Sequence, residues 1–287
     1  MHFQDVWYDA DDSLIMEKII SACPVLEDLT FIMTYDHEHE FQLSLTVRSQ
    51  SLKGFWFQNS IDGAAFKVEI DAPRLECLCL IDSVSDVIVV KHLSALLKIY
   101  VASDFNTEYG ASLGPEDARK RYIISDFLAK VSSVRHMTIT GATLSALFRY
   151  SDFATIPIFN SLYILEASFH SSKLHFLPVF LKSFPNMKTL ILTVSVGLIG
   201  YTEPELSEFT YVPPCVSSSL ECVEMKNLTI EEETWKKLAR YFLENSALLK
   251  KLILRFKGSA ISKQDSDIFR GLLTFTNPSR SCQIFIC

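Results

Sequence analysis

The sequence predicts an α/β fold in which short parallel strands stack, one repeat on the next, and return through arms on their outer side. Two observations predict it. A phrase of the form Leu, two residues, apolar, one residue, apolar recurs as Leu26–Phe31, Leu52–Phe57, Leu75–Leu80 and Leu249–Leu254, with weaker copies between. The intervening segments are long enough for a return arm, and several carry apolar residues at helical spacing. A phrase this short cannot bury its own apolar face and must stack on its neighbours.

Unit starts at Leu26, Leu52, Leu75, Leu96, Val134, Leu162, Met187, Leu220 and Leu249 are separated by 26, 23, 21, 38, 28, 25, 33 and 29 residues. Most separations lie near the roughly 20–29-residue period of leucine-rich repeats. The expected architecture is therefore an irregular leucine-rich-repeat solenoid with a parallel β-sheet and helical outer arms. Alternation along each strand sends the second and third apolar residues inward. Leu29, Phe31, Phe55 and Phe57 are expected in the core, with Asp28, Thr30, Ile32, Gly54, Trp56 and Gln58 on the open sheet.

In chain order, Ser13–Ser21 reads as a helix with Leu14, Ile15, Ile19 and Ile20 near helical spacing, Asp12 or Ser13 as cap and Pro24 as terminator. Pro115–Lys130 reads as another: Pro115 suits a first turn, Glu116 and Asp117 suit the amino end, and Ile123, Phe127 and Leu128 give an apolar face. That arm explains the 38-residue step. A short helix is expected at Phe176–Phe184, before Pro185, and a loop at 103–114.

Residues 197–219 hold Gly197, Gly200, Pro204, Pro213, Pro214 and Ser217–Ser219, and read as the best boundary. They divide a repeat region, 1–208, from a carboxyl-terminal strand–helix–strand module, 209–287. The module is read as strand 220–225, a helix around Glu231–Asn245 burying Trp235, Leu238, Phe242 and Leu243, and strand 249–255. Thr229 and Glu232 have capping-box spacing. A final helix at Asp265–Thr274 and a final strand at Ser281–Ile286 follow. Segments 1–22 and 258–287 are expected to cap the two ends of the stack.

The 287 residues are 48% hydrophobic and 21% charged, which supports a sizeable core. A net charge of −7 argues against a dedicated nucleic-acid binder, although Lys236, Lys237, Arg240, Lys250, Lys251, Arg255 and Lys257 form a local basic region. No apolar run is long enough to span a membrane. Seven cysteines, no CxxC and no secretory leader predict a reducing intracellular compartment, nuclear and cytoplasmic being indistinguishable.

The chemical motifs point away from catalysis. His37 and His39 in Asp36–Glu40 alternate on an extended backbone and offer two nitrogens to a metal, but a solvated loop is the favoured reading. Cys77 and Cys79 alternate with Leu78 and Leu80 and read as small residues on the open face, in preference to a redox or metal pair. His136 and His175 sit beside apolar residues. Gly197–Gly200 lacks the rest of a phosphate loop. The reading is of a non-enzyme with no metal and no cofactor. Its candidate functional surface is the open sheet face, presenting Trp56, Cys77, Cys79, Lys98, Tyr100, His136, Glu166, Glu224, Lys226, Lys251 and Arg255. Trp56 is a candidate anchor for a partner, the alternative being that a loop or an amino-terminal arm, to which Trp7 and Tyr8 could belong, covers it.

The carboxyl end resembles the plant F-box/FBD/leucine-rich-repeat family. The resemblance is carried by Val212-Pro213-Pro214-Cys215, Ser218-Ser219-Leu220-Glu221 and Tyr241 to Lys251 (YFLENSALLKK). Upstream, Ala22-Cys23-Pro24-Val25-Leu26-Glu27-Asp28-Leu29 and Ala72 to Leu78 (APRLECL) are similar to the family's repeats. Asn227-Leu228-Thr229 stands where the family has an aromatic-Gly turn, and Phe209 and Tyr211 stand near its usual Trp.

The resemblance implies a non-catalytic protein-interaction scaffold, the substrate-recognition part of a Skp1–cullin–F-box ubiquitin-ligase receptor. An F-box is not expected before Leu26, so a Skp1-type adaptor is implied only through an F-box supplied upstream or an unrecognised docking surface. The alternative is a truncated or independent leucine-rich-repeat binding protein with no ligase role. The target protein is open, and a membrane partner is not expected.

Overall fold

A computed structural model describes residues 1–5, 14–33, 44–60, 66–82, 85–107, 117–195, 209, 211–229, 233–257 and 282–287. The Asp36–Glu40 cluster, Trp7, Tyr8, Glu232 and the expected helix at 265–274 lie outside these residues. The fold is α/β with parallel sheets, and the chain divides into two compact units, Met1–Pro157 and Ile158–Cys287.

The first unit contains β1 (His2–Gln4), α1 (Ile15–Ser21), β2 (Asp28–Met33), β3 (Ser44–Arg48), β4 (Gly54–Asn59), β5 (Phe66–Asp71), β6 (Cys77–Asp82), β7 (Ser85–Val90), β8 (Lys98–Ala102), α2 (Ala118–Lys130), β9 (His136–Ile139) and α3 (Gly141–Ser151). Strands β1-β2-β4-β6-β8-β9 pair in parallel, in that order. Each strand after β1 is one copy of the sequence phrase. Its apolar positions bury as expected: Leu29, Phe31, Phe55, Phe57, Leu78, Leu80, Ile99 and Val101 are core residues. Register aligns Phe3, Phe31, Phe57, Leu80, Val101 and Ile139 into one inward row.

A recurrent turn sets the register. In four of the phrases the N–H of the first residue donates to the carbonyl three residues earlier, Leu26 to Cys23, Leu75 to Ala72, Leu96 to Leu93 and Val134 to Val131, and in the fifth Leu52 N–H donates to the Ser49 hydroxyl instead. Pro24 and Pro73 hold the second position of two of these turns, where a fixed φ suits the bend. The residue just before each strand then uses its carbonyl twice. Glu27 accepts from Lys53 and Gly54, Lys53 from Glu76 and Cys77, Glu76 from Leu97 and Lys98, and Leu97 from Arg135 and His136.

The return arms correct part of the expectation. Between β2 and β8 they carry strands instead of helices, and β3, β5 and β7 form a second parallel sheet. Leu45, Val47, Phe66, Val68, Ile70, Ile88 and Val90 are buried. Strict alternation of β-branched and aromatic residues favours a half-buried strand over a helix. The Phe66 ring lies 5.9 Å from that of Phe57, joining the two sheets through one aromatic contact. Helix α1 packs by β3 and α2 by β7, so helices flank the small sheet.

Helix α1 turns a different face inward from the one expected: Met16 and Ile20 are buried, whereas Leu14, Ile15 and Ile19 are exposed. In α2 the buried residues are Ile124, Phe127 and Leu128, with Ile123 half-buried. Helix α3 was not anticipated. It buries Thr143, Leu144, Ala146, Leu147 and Tyr150, and the Thr143 hydroxyl accepts from Ser103 N–H at 2.9 Å.

The second unit contains β10 (Ile164–His170), a 3₁₀ turn (Ser171–Phe176), α4 (Leu177–Leu181), β11 (Thr189–Ser195), α5 (Pro214–Ser218), β12 (Cys222–Leu228), α6 (Glu233–Asn245), β13 (Lys251–Phe256) and β14 (Gln283–Ile286). Its strands pair in parallel in chain order. The same turn recurs: Leu162 donates to Phe159, and Met187 to Phe184 with Pro185 between.

Helix α6 buries the expected stripe of Trp235, Leu238, Phe242 and Leu243. The Trp235 indole N–H donates to Thr229 O at 3.0 Å, and its ring meets Phe256 edge-on at 5.2 Å. The Tyr241 hydroxyl donates to Tyr211 O at 3.0 Å, tying the segment before α5 to α6. Cys215 is buried at the start of α5, with its Sγ 3.4 Å from Leu181 O.

Candidate interaction face

The strand register builds the outward rows of each unit. In the first unit one row runs Thr30, Trp56, Cys79, Tyr100 and Thr138, and the adjacent row runs Asp28, Gly54, Cys77, Lys98 and His136. Alternation of buried and less buried residues along every strand turns these side chains away from the core. Trp56 is 45% exposed, Cys77 and Lys98 are exposed, and Cys79, Tyr100 and His136 are half-buried. These sequence-selected residues therefore share one face of one unit.

The small residues in that face have a steric consequence. A Cβ on Gly54 would lie 2.3 Å from the Asp28 Oδ1 atom, so the Asp28 carboxylate uses the space the glycine leaves. Desolvation pushes the Cys79 thiol up to about 11, which keeps it neutral and works against a nucleophilic role.

In the second unit the outward row at the middle of the sheet runs Glu166, Ile191, Glu224, Ile253 and Phe285. Glu166, Glu224, Lys226 and Arg255 are joined in pairs. Lys226 Nζ lies 2.7 Å from Glu166 Oε1, and Arg255 Nε lies 2.5 Å from Glu224 Oε1. Lys251 is exposed and pairs in register with Cys222. At the strand starts Glu221 lies between Lys250, at 2.6 Å, and Lys188, at 3.1 Å. Hydrogen bonds from Lys250 and then Lys188 lower the Glu221 carboxyl below its ordinary value.

Sequence reasoning missed a charge cluster on the small sheet of the first unit. Glu69 faces Lys91 at 2.5 Å, Lys67 at 3.3 Å and Arg48 at 3.7 Å, and Arg48 also lies 2.5 Å from Glu17 on α1. The hydrogen bond from Lys91 is the largest influence lowering the Glu69 carboxyl. The alternating Phe66-Lys67-Val68-Glu69-Ile70-Asp71 was the available signal. Among the described residues no helix is long and apolar enough to cross a membrane.

The model of the FBD family matches residues 208–254, which span α5, β12, α6 and most of β13. Asn227, at φ 59°, adopts the left-handed conformation beside the register shift between Met225 and Leu228. Asparagine tolerates that conformation better than most residues, so it serves where the family resemblance anticipated a glycine turn.

Over its whole length the chain is 53% identical to an F-box/FBD/LRR-repeat protein of Arabidopsis thaliana, covering 64% of that protein. A second Arabidopsis F-box/FBD/LRR-repeat protein is 44% identical over the whole chain, which covers 62% of it. An Arabidopsis FBD-associated F-box protein is 44% identical over 96% of the chain, which covers 61% of it. The chain thus spans less than two thirds of the length of these relatives. No solved structure matches.

Proposed function

We propose that the chain, similar along its whole length to Arabidopsis F-box/FBD/LRR-repeat proteins, is a non-catalytic protein-interaction scaffold of that family. The proposed architecture is an irregular leucine-rich-repeat solenoid, with repeats over 1–208 and an FBD-like module over 209–287 that continues the stack. In this reading the chain is the target-holding part of a Skp1–cullin–F-box ubiquitin-ligase receptor. The open strand faces bind a target protein, an F-box recruits the Skp1-type adaptor, and proximity to the conjugating machinery favours transfer to a target lysine. The chain performs no covalent step.

The observation that carries the reading is the outward face bearing Trp56 in a ladder of parallel strands, in a chain related end to end to proteins named for an F-box, an FBD and repeats. An exposed aromatic on a rigid strand loses little conformational entropy when it anchors a partner.

The test is co-expression with a Skp1-type adaptor, using the chain alone and the chain fused behind an F-box. The expected result is adaptor co-purification with the fusion alone, and adaptor-dependent ubiquitin transfer to a target that both forms capture. Capture without transfer by the fusion would favour an independent repeat binding protein. Stable one-to-one association of the unfused chain with the adaptor would place a docking surface within residues 1–287.

A further inference from the structure

The open face of the first unit sets two large aromatic side chains on either side of a small one. Trp56 and Tyr100 flank Cys79 in one register row, on strands β4, β8 and β6. Neighbouring strands lie about 4.8 Å apart, so the two large side chains rise from backbones about 10 Å apart with a small side chain between them. In the adjacent row the Asp28 carboxylate covers Gly54, Cys77 is small, and Lys98 follows on β8. The register thus places a small side chain between two aromatics, with an exposed lysine in the next row.

The two units treat their outward charges differently. In the second unit Glu166 and Glu224 are already matched by Lys226 and Arg255, and a partner would have to displace those pairs to use the charges. In the first unit Lys98 is exposed and makes no ion pair among the described residues. The Asp28 carboxylate, held in the space over Gly54, stands two strands from Lys98, about 10 Å, and forms no ion pair with it.

We propose that this part of the face binds an extended segment of a target protein that sets an apolar side chain between Trp56 and Tyr100 and a neighbouring carboxylate against Lys98. The inference rests on the scaffold reading above and names the chemistry of its partner. The apolar contact supplies affinity, and the Lys98 contact supplies register and selectivity. The chain's net charge of −7 gives an acidic segment no long-range attraction, so the selection acts at contact distance. Neutral Cys79 suits the place between the two aromatics, since an ionised thiolate there would repel the carboxylate.

The test is panning of a random peptide library displayed on phage against the full chain, then anisotropy titration of the selected peptides. The expected peptides carry an aromatic or large aliphatic residue within two or three positions of Asp or Glu. Trp56→Ala is expected to weaken them about tenfold or more. Lys98→Glu is expected to weaken acidic peptides about fivefold or more and to favour peptides whose acidic residue is replaced by Lys. Tyr122→Ala, on the exposed side of α2, is expected to leave binding unchanged.

An unchanged thermal transition in each variant separates lost contact from lost fold. Selected peptides that lack acidic residues, or that bind Trp56→Ala and wild type equally, overturn the proposal, as does a library that yields no binder. Target capture and transfer in the adaptor experiment judge the scaffold reading separately.

Discussion

Lys226 Nζ reaches 2.7 Å from Glu166 Oε1 across the full width of β11, the strand that separates them. The pair lies over Ile191 and Thr193, the β11 residues in register with Glu166 and Lys226. Both side chains are about one-third exposed, so solvent screens the attraction and the pair contributes modestly. A double-mutant cycle of Glu166→Gln and Lys226→Met in urea is expected to give a coupling of about 0.5 kcal/mol, smaller in 1 M salt. A coupling that salt leaves unchanged would show that the pair acts through packing.

The aromatic contact between the sheets of the first unit should matter far more. Phe57 is fully buried, with ring centroids 6.2 Å from Phe31, 6.2 Å from Phe55 and 5.9 Å from Phe66. Phe57→Ala leaves a cavity that strands on both sides hold open, and is expected to cost about 3–5 kcal/mol. Phe285→Ala, at a 42% exposed site, should fall within about 0.5 kcal/mol of wild type. Denaturant midpoints of the two variants check the contrast.

The repeat phrase made the phrase-bearing strands of both units legible because alternation and burial speak through the same residues: Leu52, Leu75, Leu162, Leu220 and Leu249 are all fully buried. The small sheet was misread because helical arms were expected from the repeat period, although Phe66, Val68 and Ile70 alternate strictly with polar residues. Helix α3 had a readable signal in Leu144, Leu147 and Tyr150 at helical spacing, in a stretch to which the repeat phrase assigns no element. Placement of Trp56, Lys98 and Tyr100 on one face followed from alternation alone. The Glu166–Lys226 and Glu224–Arg255 pairs were not legible, because they depend on the register of strands joined through long connections.

Acid should weaken the first unit in part through Glu69. Its carboxyl is lowered chiefly by Lys91 and then by Lys67, against an opposing desolvation. A carboxyl depressed in the folded state contributes stability above its unfolded pKa of about 4.3, and loses it as pH falls through the depressed value. The stability difference between wild type and Glu69→Gln should therefore be constant near neutral pH and shrink below roughly pH 5. Urea midpoints at several pH values test this, and a gap that widens on acidification would reverse the assigned sign.

Thiol reactivity should follow burial across the two units. Burial pushes the Cys215 thiol up to about 12, and its Sγ lies 3.4 Å from Leu181 O. Cys79 is pushed up to about 11 by the same cause, whereas Cys77, two residues earlier on the same strand, is exposed. Only the thiolate alkylates, so a raised pKa and a closed surface act in the same direction. Iodoacetamide at pH 8 is expected to label Cys77 well before Cys79, and to label Cys215 only as the second unit opens. Following modification site by site with mass spectrometry at rising urea checks the order. Early labelling of Cys215 in native buffer would mean that α5 detaches from the segment ending at Leu181 without global unfolding, and that the Tyr241–Tyr211 hydrogen bond is too weak to hold it.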